Sequence, residues 1–178
     1  MVQHCPAYEW TRRDKFTYLL ALTPFLVAFL GALALVATIS VYWTIALIAL
    51  HLLGSAFQAG CCIGCPYRGR YCPALFGIFL ANAFSARIYR DRQYDEKFFK
   101  RNAALAETAV AIIAILCCVL LFTIHWLYTV AFLALGFVHL YLFFRRICPM
   151  CSYNETCPGG QAAVKWGRKA EGWSHGEP

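Results

Sequence analysis

Four long apolar runs limit what this chain can fold into: about Phe16–Thr38, Val41–Gly60, Ala103–Thr123 and Trp126–Phe144. Each is close to the roughly 20 residues that an α-helix needs to cross the hydrocarbon of a bilayer. None holds Lys, Arg or Asp, and the single acid, Glu107, sits near the start of the third. With 61% hydrophobic and 14% charged residues, the 178-residue chain is too apolar for an ordinary soluble domain. The expected fold is an all-α integral membrane protein of four transmembrane helices arranged as two hairpins. The first run exceeds the apolar core of a cleavable signal, and Val41 opens the next run almost at once, so it is expected to stay as a span.

Charge sets the orientation. All sixteen Lys and Arg fall within residues 12–15, within residues 68–101, or from residue 145 onward. With an even number of spans these regions share one side, and the turns near Ile39-Ser40 and Ile124-His125 share the other. The rule that basic loops stay inside places both termini and the central loop in the cytoplasm of a cell (inner) membrane. Tyr42, Trp43, Trp126 and Tyr128 lie at the opposite end, where aromatic belts form. The net charge of +7 is distributed as flanks to span ends, which fits insertion and contact with anionic lipid rather than nucleic acid.

The halves are laid out alike, as a pseudo-repeat within one membrane domain, 1–178. Hairpin one covers 16–60 and is followed by a cysteine motif at 61–73. Hairpin two covers 103–147 and is followed by a motif at 148–158. Between them runs a loop, 74–102. The Pro73–Tyr89 part begins apolar and is too short to span, so a helix lying in the cytoplasmic interface is expected, then a charged helix leading into the third span. Alanines 103, 104, 106, 109, 111 and 114 suggest a small-residue packing face on that span. The tail, 159–178, has a weakly ordered composition.

The motifs carry the chemistry. Cys62-x-x-Cys65 is followed by Cys72-Pro73, and Cys148-x-x-Cys151 by Cys157-Pro158. Cytoplasmic thiols stay reduced, which argues against a disulfide framework. A Cys-x-x-Cys turn lets two thiolates reach one ion, and four thiolates complete a tetrahedral zinc site or hold an iron–sulfur cluster. The candidate ligands are therefore Cys62, Cys65, Cys72, Cys148, Cys151 and Cys157, with Cys61 and Cys5 as possible additions. Two divisions stay open: one shared four-cysteine site, or one site per motif. Arg68, Arg70, Arg145 and Arg146 nearby are expected to lower thiol pKa values and to favour an anionic centre. Cys61-Cys-Ile-Gly-Cys65-Pro66 also resembles, over six residues, the Cys-x-x-x-Cys-Pro motif of membrane quinol-dehydrogenase subunits related to ferredoxins; the second motif departs from it.

His51 and His139 hold corresponding places in the second and fourth spans, roughly 14 Å above the cysteines at the helical rise. A ring nitrogen inside hydrocarbon needs a partner. The pair is a candidate cofactor site, for a b-type haem held between facing helices or for contact with a quinone. A hydrogen bond to a neighbouring Ser, Thr or backbone carbonyl is the plain alternative. Cys117-Cys118, inside the third span, reads as packing. No Walker loop, dinucleotide fingerprint, zincin motif or nucleophile elbow is present, which leaves hydrolysis without a constellation.

Three functions follow from these residues. The favoured one is a membrane redox protein with a cytoplasmic cysteine-ligated metal centre, iron–sulfur before zinc, exchanging electrons with a partner protein or quinone. The others are a soft-metal transporter or carrier, and a non-catalytic adaptor with structural zinc.

Overall fold

The computed structural model describes residues 9–65, 67–68, 71–72, 79–150, 161 and 163. Among them are five α-helices and no strand: α1 Arg12–Ile39, α2 Val41–Cys61, α3 Phe79–Ile88, α4 Glu96–Ile124 and α5 Trp126–Leu142. Beyond Leu142, α5 continues as a π-helical turn, Phe143–Ile147, and a 3₁₀ turn, Cys148–Met150. Helices α1, α2 and α4, and the segment Trp126–Met150, are each long and apolar enough to cross a membrane. The chain is a multi-pass membrane protein by that measure.

The helix ends follow local chemistry. Thr11 caps α1 through a capping box, its hydroxyl accepting the Asp14 amide at 3.2 Å while the Asp14 carboxylate accepts the Thr11 amide at 3.0 Å. This satisfies backbone donors that a helix start otherwise leaves open. Asp95 caps α4 by accepting the Lys97 amide. The charged approach to the third span is therefore already helical from Glu96. Each hairpin reverses on one extended residue, Ser40 (φ −159°, ψ 120°) and His125 (φ −165°, ψ 133°), as the apolar runs predict.

Packing forms a ring. Helix α1 neighbours α2 and α5, and α4 neighbours the same two, so adjacent helices are antiparallel. The inward stripe of α1 is Tyr18, Leu22, Phe25, Phe29, Ala32 and Val36, alternating in steps of four and three. That spacing keeps one seam facing the partners. On the turn side, Phe29, Ala32 and Val36 meet Leu47, Ile113, Cys117 and Leu121. On the basic side, Tyr18, Ala21 and Leu22 meet Phe143 and Ile147.

Helix α4 corrects the alanine expectation. Only Ala106 and Ala109 of the six are buried; Ala104 and Ala111 are exposed. The buried row is Phe98, Asn102, Ala106, Ala109, Ile113, Cys117 and Leu121. Residues 104 and 111 fall off this row by the helical period of 3.6. Close approach comes instead from α2: a Cβ on Gly54 would lie 3.3 Å from that of Ala109, and one on Gly60 would lie 2.6 Å from Cγ of Asn102.

Elsewhere the outside is apolar. Leu30, Ile45, Ile115, Phe122, Leu133 and Phe137 all stand exposed. A soluble monomer rarely shows so much contiguous apolar surface; lipid is the solvent that suits it. In α5 only His139 is fully buried.

Candidate metal and redox site

The first cysteine motif starts as a 3₁₀ turn. The Cys65 amide donates to the Cys62 carbonyl at 3.2 Å, and the Arg68 amide to the Cys65 carbonyl at 3.0 Å. The second starts the same way, with Cys148–Met150 as a 3₁₀ turn. Of the expected ligands, Cys62, Cys65, Cys72 and Cys148 are described, as is Cys61. Cys5, Cys151 and Cys157 lie outside the described residues.

Cys61 and Cys62 have different partners. The Cys61 thiol reaches the Phe99 carbonyl of α4 at 3.8 Å. The Cys62 thiol donates to the Gln58 carbonyl at 3.4 Å and packs with Ala59 and Ala81 in the seam between α2 and α3. Burial pushes the Cys62 thiol up to about 12, aided by Cys65 and Cys61, and Arg68 offsets little of it. Arg68 does act to lower the thiol pKa, as expected of a nearby arginine, but at Cys62 desolvation outweighs the cation. Arg68 instead donates to the carbonyls of Ser85 and Tyr89, closing the end of α3. As placed here, Cys62 has the surroundings of a packed thiol.

Cys72 and Cys148 are both half-buried at the basic end. Tyr71 meets Tyr18 edge to face at 5.8 Å between ring centroids, and Cys72 lines a cleft of about 450 Å³ with Tyr18 and Leu22. Cys148 packs on the cluster that contains those same two residues. One member of each motif therefore borders the cluster built from Tyr18, Ala21, Leu22, Phe143 and Ile147. Among the described residues no three of His, Cys, Asp or Glu gather as a metal-ligand group, and no disulfide joins two described cysteines.

The histidines lie on α2 and α5, which are diagonal in the ring. The His139 ring is fully buried, with Nδ1 2.7 Å from the Ala21 carbonyl. A carbonyl only accepts, so Nδ1 carries the proton and Nε2 is the acceptor nitrogen in the neutral ring. Three residues beyond Ala21, Pro24 sits inside α1 and brings no amide for the carbonyl of Leu20. The His139 bond lies in this stretch of altered backbone bonding. His51 rests on Phe29 at 5.0 Å. Between the two imidazoles stand Phe29 and Phe25, stacked at 5.7 Å, with Phe25 5.4 Å from His139. The histidines are thus linked through two phenylalanines rather than meeting face to face, and the carbonyl bond foreseen for such a ring exists at His139.

That row continues downward. His139 meets Phe143 at 5.4 Å, Phe143 meets Tyr18 at 6.0 Å, and Tyr18 meets Tyr71 beside Cys72. All these separations lie in the range where aromatic rings attract one another. The sequence-based reading missed Tyr18, Tyr71 and Asn82 as parts of the site. Asn82 was the available signal, an amide inside an otherwise apolar stretch; it is buried and donates to the Tyr67 carbonyl at 2.8 Å. Of the remaining histidines, His125 is an exposed cap, its Nδ1 accepting the Leu127 amide. No family model, curated protein or solved structure matches the chain.

Proposed function

We propose that this chain is a membrane redox protein whose cysteine-rich end, facing the cytoplasm, holds a thiolate-bound metal centre, an iron–sulfur cluster before zinc. The observation that carries this reading is that Cys72, of the first motif, shares a cleft with Tyr18 and Leu22, while Cys148, which opens the second, packs on the cluster to which those two residues belong. Cys65, Cys72 and Cys148 would ligate together with Cys151 and Cys157; Cys62 is the ligand whose surroundings fit least. The ring row from Tyr71 to His139 and His51 supports electron exchange with a partner protein or quinone, since it joins the thiol end to the membrane interior. The cluster supplies one-electron chemistry when bound, and the chain supplies ligands, orientation and a low-dielectric surround. In the same reading the halves are a pseudo-repeat about an axis along the membrane normal, which the α1–α5 and α2–α4 pairings suit, and α3 lies in the interface.

The test is an anaerobic preparation of the full chain, assayed for iron, acid-labile sulfide and zinc, with a visible spectrum. Iron and sulfide in equal amounts, with broad absorption near about 400 nm that bleaches on reduction, is the expected result. A colourless zinc protein moves the reading to structural zinc. Metal-free protein with full helical content ends it.

A further inference from the structure

The cleft beside Cys72 has a chemistry of its own. It lies one to two turns into α1, at the basic end, and is lined by Lys15, Tyr18, Leu19, Tyr71, Cys72 and Asn82. Its volume, about 450 Å³, is in the range of small-ligand sites. Tyr18 and Asn82 are buried and form its floor, whereas Leu19 is 56% exposed on a helix built to meet lipid. One side of the cleft therefore opens toward acyl chains and the other toward the headgroup layer.

The polar lining is an ammonium, two phenols, an amide and a thiol. Among the described residues no carboxylate lines the cleft. The nearest acid in sequence, Asp14, is engaged by the Thr11 hydroxyl at 2.6 Å and the Thr11 amide at 3.0 Å. Lys15 lies over the Tyr71 ring at 5.1 Å, which brings the ammonium beside that phenol. Among the described residues, a site so composed favours a negatively charged, acceptor-rich group, and its one formal charge, the Lys15 ammonium, repels the ammonium of a zwitterionic headgroup. A free phosphate would satisfy Lys15 but leave the apolar wall at Leu19 and Leu22 unused.

We propose that this cleft binds one anionic phospholipid, its phosphate held by Lys15 and the Tyr71 hydroxyl and one acyl chain descending past Leu19. The cleft borders the proposed metal centre through Cys72, and the lipid is read out separately from metal content. The test uses the full chain, delipidated in mild detergent and titrated with phosphatidylglycerol or phosphatidylcholine, with bound lipid counted by native mass spectrometry. One phosphatidylglycerol should be retained at least about tenfold more tightly than phosphatidylcholine. Lys15→Gln should weaken that retention about tenfold, the loss of one charged contact worth about 1.4 kcal/mol. Lys15→Arg should preserve it, and Lys97→Gln, an exposed lysine on α4, should leave it unchanged. Tyr71→Phe should weaken it several-fold and gives a second reading should Lys15→Gln fold poorly. Equal retention of the two lipids, or indifference to both Lys15→Gln and Tyr71→Phe, overturns the proposal. Displacement by millimolar glycerol phosphate overturns it too, in favour of a free anion.

Discussion

Gly60→Ala tests whether α2 and α4 are held at the separation described. The new Cβ would lie 2.6 Å from Cγ, 2.8 Å from Oδ1 and 3.0 Å from Nδ2 of Asn102. Asn102 is 4% exposed and its Nδ2 donates to the Phe98 carbonyl at 2.8 Å, so it yields only by giving up that bond or by pushing the helices apart. Overpacking of this kind costs about 1–3 kcal/mol, and the buried hydrogen bond contributes about 1 kcal/mol more. Against this, alanine is a better helix former than glycine by about 0.5–1 kcal/mol. The expected net loss is about 2 kcal/mol, or about 4–8 °C in Tm for a chain of this size. Tryptophan fluorescence during heating in detergent reads it directly. Two controls isolate the cause. Gly31→Ala and Gly136→Ala meet nothing within 4 Å and should hold or raise Tm. In an Asn102→Ala background the same Gly60→Ala change should cost nothing. An unchanged Tm for Gly60→Ala, or an equal loss with Asn102 already truncated, would show that the two helices do not meet as described.

Three further outcomes are expected. Below the ordinary thiol value of 9.0 the buried Cys62 stays protonated in both folded and unfolded chain; above it the unfolded chain ionises first, so its contribution to stability falls as pH rises from about 9 to about 12. In metal-free protein it should alkylate at pH 8 at least about 100-fold more slowly than an ordinary exposed thiol, rising about tenfold per pH unit; rapid labelling by mass spectrometry would refute its burial. His139→Ala should lower stability by about 2–4 kcal/mol, since it empties the space between Phe25 and Phe143, and His51→Ala, at a half-buried ring, by less than half as much; equal losses would contradict the difference in burial. Single cysteines placed at Ser40 and His125 should react with a membrane-impermeant maleimide added to intact cells while a C-terminal tag stays protected; the reverse pattern would invert the proposed orientation.

Element boundaries were legible where one physical term dominates. Hydrocarbon tolerates no unpaired backbone and no unpaired charge, so uncharged runs of adequate length have one outcome, and the turns fall at Ser40 and His125 as the breaks in those runs indicate. The caps at Thr11 and Asp95 also follow from local chemistry. The packing partners were not legible in the same way. Six alanines in α4 look alike in sequence, yet only Ala106 and Ala109 lie on the inward row, because Gly54 and Gly60 of α2 decide where close approach occurs. Cys62 reads as a ligand from its spacing, and its burial against Ala59 and Ala81 depends on α3, a neighbour in space.

From the sequence alone came the four spans, the shared side of the basic segments and the thiol-rich ends, since each depends on composition and spacing within one segment. Only the tertiary structure decided that Cys72 shares a cleft with Tyr18, that Phe25 and Phe29 stand between His51 and His139, and that Lys15 lines that cleft beside Tyr71. Those relations join residues on different helices, and the rotation of each helix about its axis, fixed by packing across the ring, is not encoded in any single run.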